Sequence, residues 1–263
     1  YRELGLGFPP PEIRSDRLER VPPPLVEMGH IRGDLHAHTT WSDGRASVWE
    51  MGEAARRRGY DYLAICDHTP HVGVVQGLDA DALRRQGEEI VAANEQLAPF
   101  RILRGVECDI RPDGSLDLAD DVLSELEWVQ ISLHQGQRAP RAELTARVLE
   151  AMRHPAVRCL SHPTGRLIGH RPENALDLER TIEVALETRV ALEVNGLPNR
   201  LDLSGEHVRV AVASGVAVVC STDAHSIRGL ENMHNAVHTA RRGHAGTTHV
   251  LNTRPLLDLL ASR

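Results

Sequence analysis

Asp34-Leu35-His36-Ala37-His38 is the stretch whose reading decides the fold. Its two histidines are two positions apart, and on extended backbone such residues point to the same side. Both imidazoles can therefore face one ion. Asp223-Ala224-His225, after the apolar run Val216-Ala217-Val218-Val219-Cys220, repeats the arrangement near the other end of the chain. Between them, Tyr62-Leu63-Ala64-Ile65-Cys66 ends in Asp67-His68, and Arg101-Ile102-Leu103-Arg104-Gly105-Val106 ends in Glu107. Trp128-Val129-Gln130-Ile131-Ser132-Leu133 ends in His134, a fifth run ends in Ser161-His162-Pro163, and a sixth, residues 190–195, ends in Asn195. Residues 46–58, 79–97, 120–126, 140–153, 172–187, 205–214 and 230–242 have helical length and pattern, and 254–262 reads as a short closing helix. This alternation predicts the α/β class: a TIM-like (β/α) barrel of seven strands rather than eight, with a metal site at the C-terminal ends of the strands. If such a barrel closes, its first and last strands are neighbours and the two histidine pairs converge.

Composition narrows the chemistry. The chain has 263 residues, 41% of them hydrophobic and only 3% aromatic, so a large core must be built from Val, Leu, Ile and Ala. The formal net charge of −7 argues against a generic nucleic-acid coat, though not against an enzyme that meets only a strand end. No lysine occurs, which excludes lysine Schiff-base chemistry and a Walker A phosphate loop. No G-x-S-x-G elbow is present. Cys66, Cys108, Cys159 and Cys220 form no CxxC pair and read as buried thiols. No signal peptide or membrane-length apolar run appears, so a cytoplasmic location is expected and no membrane partner. The chain opens on Tyr1, and residues 1–30 are rich in proline and charge. They read as a linker from a preceding region, with a catalytic domain over 31–263.

Any one of these strand-end residues could be a satisfied polar side chain or a helix cap. Ligand-type residues at six of seven strand ends, on otherwise apolar strands, call for a common cause. Carboxylate and imidazole together suit Zn²⁺, Mn²⁺ or Fe²⁺ better than Ca²⁺ or Mg²⁺. So many donors exceed what one ion uses, which implies two or three ions. A carboxylate is the natural bridge, and Glu107 is central. Paired ions serve phosphoryl transfer without a protein nucleophile.

The strings Leu35-His36-Ala37-His38-Thr39-Thr40-Trp41-Ser42-Asp43-Gly44, Asp67-His68, Gly105-Val106-Glu107, Ser132-Leu133-His134, Ser161-His162-Pro163-Thr164-Gly165-Arg166 and Ser221-Thr222-Asp223-Ala224-His225 resemble the polymerase-and-histidinol-phosphatase (PHP) domain family, in order over residues 31–263. Within it, Pro198-Asn199-Arg200-Leu201-Asp202-Leu203 and Gly229-Leu230-Glu231-Asn232-Met233 are most similar to the C-terminal PHP domain of bacterial family X DNA polymerases. The resemblance implies a distorted barrel with three ions: His36, His38, Glu107 and Asp223 on one; Glu107, His134 and His162 on the second; Asp43, His68 and His225 on the third. Gln135-Gly136-Gln137 after His134 departs from the family's usual small hydroxyl and apolar residues. Arg166 and Arg200 are expected to contact substrate phosphate, and Asn195 to contact substrate or metal-bound water. His71 and His170 read as loop residues, and the remaining histidines as surface or packing residues.

The implied activity is a metal-dependent hydrolase of phosphate esters. The reading is a 3′–5′ exonuclease using Mn²⁺ or Zn²⁺ on DNA 3′ ends in repair, bound weakly by this chain alone and beside a polymerase region N-terminal to it. The alternatives are a small-molecule phosphomonoesterase of the histidinol-phosphatase type and a non-catalytic domain that stabilises an attached polymerase.

Overall fold

Seven apolar runs, each too short and too β-branched for a buried helix, form seven parallel strands in sequential order. In the computed structural model, residues 10–14 and 24–261 are described; much of the expected linker, residues 1–9 and 15–23, lies outside them. The strands are β1 (Gly33–Ala37), β2 (Tyr62–Ile65), β3 (Arg101–Asp109), β4 (Trp128–Ser132), β5 (Val157–Leu160), β6 (Ala191–Asn195) and β7 (Val218–Ser221). Helices α1 (Val48–Arg57), α2 (Ala80–Leu97), α3 (Asp120–Ser124), α4 (Arg141–Met152), α5 (Leu178–Thr188), α6 (Gly205–Ala213) and α7 (Met233–Arg242) follow them in turn, and α8 (Leu256–Ala261) closes the chain. The expected (β/α) architecture with seven strands is therefore present, as a nearly closed barrel.

Two apolar layers stabilise it. Leu35, Tyr62, Ala64, Cys66, Leu103, Trp128, Cys159, Ala191, Val219 and Leu251 pack in one cluster. Side chains that alternate with these, such as Leu63, Ile65, Ile102, Val129, Leu192 and Val218, pack in a second cluster with apolar residues of the helices. All four cysteines are buried and unbridged, as expected. Further along the inner face, polar side chains take over: Glu107, Asp109, Gln130, Ser132, Glu193 and Asn195 are all fully buried.

Closure between β1 and β7 is only partly a strand ladder. At the mouth, His38 N–H donates to Ala224 O at 2.9 Å. Below it, the Asn252 side chain fills the seam. Its Nδ2 donates to Gly33 O and to Cys220 O, each at 2.7 Å, and its Oδ1 accepts from Cys220 N. Asn252 is fully buried, so Asn252→Ala would orphan two carbonyls and one N–H. We expect that variant to lose about 3 kcal/mol of stability in denaturant unfolding, at about 1–3 kcal/mol for each group left unsatisfied.

Capping sets the helix starts. Ser47 and Glu50 form a capping box on α1, and Asp79, Asp177 and Ser204 cap α2, α5 and α6. Two expected helices begin later than the sequence suggests. Residues 172–177 are loop, held where Asn174 N–H donates to Thr164 O, so α5 starts at Leu178. Residues 227–232 form a 3₁₀ turn ahead of α7. At the described part of the lead-in, Ile13 is fully buried, and Glu12 accepts from Arg241 Nε at 2.6 Å and pairs with His238 at 2.8 Å.

Candidate metal centre

Because successive strand ends surround one mouth, His36, His38, Asp43, His68, Glu107, His134, His162, Asp223 and His225 come together there. Donor atoms within 4.8 Å of one another fall into three sets: His38, Asp43, His68 and His225; His36, His38 and Asp223; and His68, Glu107 and His134. His162 joins the last through Nε2, 2.9 Å from Glu107 Oε1. The grouping differs from the expected one at Glu107, which is absent from the set of His36, His38 and Asp223, and at two histidines. His38 and His68 each lie between two sets, because their two ring nitrogens face opposite ways. His38 Nε2 is 3.1 Å from Asp223 Oδ1 while its Nδ1 is 3.8 Å from Asp43. His68 Nδ1 is 3.0 Å from Glu107 Oε2 while its Nε2 is 3.7 Å from Asp43.

Glu107 occupies the junction. Its Oε1 faces His162 and His134, the latter at 3.5 Å, and accepts from Ser132 Oγ. Its Oε2 faces His68, His36 at 3.4 Å and His38 at 3.6 Å. Yet Glu107 Oε2, His38 Nδ1 and His68 Nδ1 are buried without a hydrogen-bond partner. Buried polar atoms are rarely left so. A carboxylate oxygen surrounded by unaligned imidazole nitrogens is the geometry of donors facing a shared cation. The set fits divalent transition ions.

A supporting layer fixes the rings. His36 Nδ1 lies 2.6 Å from Glu193, His134 Nδ1 3.1 Å from Asp109, and His225 Nδ1 2.8 Å from Asp223 O. Each ring is thereby oriented with Nε2 toward the cluster, as carboxylates and carbonyls do for metal-binding histidines. Asp34 ties β1 to Thr222, and Asp67 accepts from Thr39, Ser42 and Gln86. The backbone is constrained here as well. His162, Leu201 and Asp223 have φ of 24°, 47° and 52°, a left-handed region costly for side-chain-bearing residues and often found at functional sites.

The charges suit a site that binds cations. Burial and the neighbouring rings of His225 and His68 push His38 down to about 3, leaving a neutral imidazole. Burial also opposes charge on His225, but Asp43, 3.2 Å away, and Asp223 outweigh it and push His225 up to about 9. Burial likewise works against the Glu107 carboxylate, and His134, His36 and His68 hold it well below the usual range. A cation entering beside His225 must displace that ring's proton. Below about pH 9 the proton competes, so affinity should rise with pH up to about 9. A chelator-competition titration between pH 6 and 9 checks this; an affinity independent of pH would contradict it.

The other expected site residues take different places. Arg200 Nε lies 3.6 Å from Asp223 Oδ2, and its Nη1 is buried without a partner. Asn195 Nδ2 donates to Asp223 Oδ2 at 3.1 Å and to Glu193 Oε2 at 3.3 Å, while its Oδ1 accepts from Leu197 N. It thus steadies Asp223. Arg166 does not reach the cluster: its guanidinium donates to Arg200 O and Leu201 O and lies 3.6 Å from Glu173. His71 and His170 lie outside the cluster, as expected of loop residues. In the departing segment after His134, Gln135 Nε2 donates to His71 O and Gln137 Nε2 to Leu133 O at 2.7 Å, so both glutamines brace mouth loops. Asp109 and Glu193 are the supporting residues that the sequence reading missed.

Comparison with known proteins places the chain among relatives of similar sequence and fold. The PHP domain family model matches residues 34–196. The chain is 45% identical over 270 aligned residues to the DNA polymerase/3′-5′ exonuclease PolX of Bacillus subtilis, covering 99% of this chain and 46% of that protein. It is 30% identical to a probable phosphatase of Syntrophotalea carbinolica, over 62% of this chain and 64% of that one. The chain thus spans less than two thirds of either relative. The crystal structure of histidinol phosphate phosphatase from Lactococcus lactis, complexed with zinc, L-histidinol and phosphate, superposes with a TM-score of 0.56 at 13% identity. That likeness, over 81% of this chain and 93% of that one, supports the fold. Among the described residues, no helix is long and apolar enough to cross a membrane.

Proposed function

The chain belongs to the PHP domain family of metal-dependent phosphoesterases, and on that premise we propose that it is a 3′–5′ exonuclease acting on DNA ends. The observation that carries this reading is the 45% identity, over nearly the whole chain, to a protein named as a polymerase and 3′-5′ exonuclease. We assign residues 31–263 to the phosphoesterase domain and residues 1–30 to a linker from a polymerase region that precedes it. Repair synthesis is the natural setting for that pairing.

His36, His38, Glu107 and Asp223 would hold one ion, Glu107, His134 and His162 a second, and Asp43, His68 and His225 a third, with His38 and His68 each adjoining a second set. Zn²⁺ and Mn²⁺ both suit these donors, and Fe²⁺ is compatible. When bound, the ions would supply Lewis-acid activation of water and neutralise charge on the phosphate. The protein's own share is positioning. Glu193, Asp109 and the Asp223 carbonyl hold imidazoles in fixed tautomers. Asn195 steadies the Asp223 carboxylate. The Nη1 of Arg200, buried without a partner, would donate to a non-bridging phosphate oxygen. Arg166 acts one step back, holding the backbone of Arg200 and Leu201.

A second reading, phosphate release from a small phosphomonoester, is favoured by the relatives named as probable phosphatases. One comparison separates the two. With Mn²⁺ present, nucleotide release from 3′-labelled DNA should exceed phosphate release from histidinol phosphate, and Glu107→Ala should remove it. Phosphate release alone, with intact DNA, would favour the second reading.

A further inference from the structure

A groove of about 520 Å³ leaves the metal centre on the side of β6 and β7. Asp223 and His225 of the cluster line it together with Leu197 and Pro198, and with Arg228, Glu231, Asn232 and His234. Its size lies within the range of about 300–1,000 Å³ usual for small-ligand sites. The walls are built rather than incidental. A Cβ on Gly196 would lie 2.3 Å from Asn232 O, so the ends of β6 and the 227–232 turn are in direct backbone contact. Asn235 Nδ2 donates to Gly196 O at 3.0 Å. Arg58 pins the far side, donating to Ile227 O at 3.1 Å and lying 3.7 Å from Glu231. Glu231, which also lines the groove, is thus partly engaged by Arg58. Arg228 itself is exposed and has no carboxylate partner among the described residues.

We infer that this groove seats the leaving strand, with the penultimate nucleoside against Leu197 and Pro198 and the next phosphate on Arg228. The inference rests on the exonuclease reading. In that reaction water adds to phosphorus, the bond from phosphorus to the 3′ oxygen breaks, and the shortened strand keeps the 3′ hydroxyl. The leaving strand must lie on one side of the ions, and this groove is continuous with them. Leu197 and Pro198 offer apolar surface to a sugar-base unit, and the exposed Arg228 guanidinium suits the anion that follows it.

The test varies what occupies the groove. Thymidine 5′-(4-nitrophenyl phosphate) puts no nucleoside there. The dinucleotide TpT puts a nucleoside there, and the trinucleotide TpTpT adds the phosphate for Arg228. We expect kcat/KM to rise about tenfold from TpT to TpTpT, mostly through KM, the range of one charge-assisted hydrogen bond. Arg228→Ala should abolish that rise and Arg228→Lys should keep most of it. Arg85→Ala, an exposed arginine on α2, should leave it unchanged. A wild-type enzyme without the rise, or a rise that survives in Arg228→Ala, overturns the groove while leaving the exonuclease reading intact. Failure of the wild type to cleave any of the three substrates overturns the exonuclease reading, and the groove assignment falls with it.

Discussion

Glu107→Ala is expected to lower phosphoesterase activity by about 10³-fold or more. The fully buried carboxylate presents one oxygen to His134 and His162 and the other to His36, His38 and His68. Its removal should disturb two cation positions together. Metal ions supply several kcal/mol of transition-state stabilisation, and each 1.4 kcal/mol is a factor of ten. Steady-state kinetics of the variant, beside His170→Ala as an exposed reference, measure this. Equal losses in the two variants would remove Glu107 from the centre of the site.

The second large effect should come from a residue that touches no ion. Glu193 is fully buried and accepts from His36 Nδ1, Ser221 Oγ and His162 N, each at 2.6 Å. Glu193→Ala would free the His36 ring and orphan the His162 N–H at a position where the backbone is already strained. Loss of such a supporting carboxylate typically costs 10–100-fold in metal affinity or activity. The expected result is a drop of that size in both metal affinity, measured against a competing chelator dye, and kcat/KM at limiting metal. Unchanged metal affinity would show that the carboxylate serves stability alone.

How much of this could be read in the sequence follows from where each residue sits. Strand ends were legible because apolar runs of strand length stop at ligand-type residues, as in Ala64-Ile65-Cys66-Asp67-His68. The convergence of His36 and His38 with Asp223 and His225 followed once β1 and β7 were taken as neighbours. Glu193 escaped notice because it lies in the middle of β6, and Asp109 because the third apolar run reads as ending at Glu107 whereas β3 continues to Asp109. A signal existed: a carboxylate inside the otherwise apolar Ala191-Leu192-Glu193-Val194, two residues before Asn195, is a buried charge that demands a partner, and Asp109 shares the face of Glu107.

Other features had no local signature. Nothing in Leu251-Asn252-Thr253 marks a side chain that completes the barrel seam, because its partners are 219 and 32 residues away. The aim of Arg166 depends on the fold of the 197–203 loop, so a motif that suggested a phosphate contact gave instead a backbone tether. The late start of α5 reflects Asn174 and Asp177 binding backbone locally, as short polar side chains do at turns and caps.

The central claim is that Glu107 joins more than one ion at the mouth of a seven-stranded barrel. Elemental analysis tests it most directly, on protein purified without chelator and then equilibrated with Mn²⁺ or Zn²⁺. The account predicts more than one equivalent of transition metal per chain, with a lower count in Glu107→Ala. At most one equivalent in the wild type, even after metal addition, would contradict it.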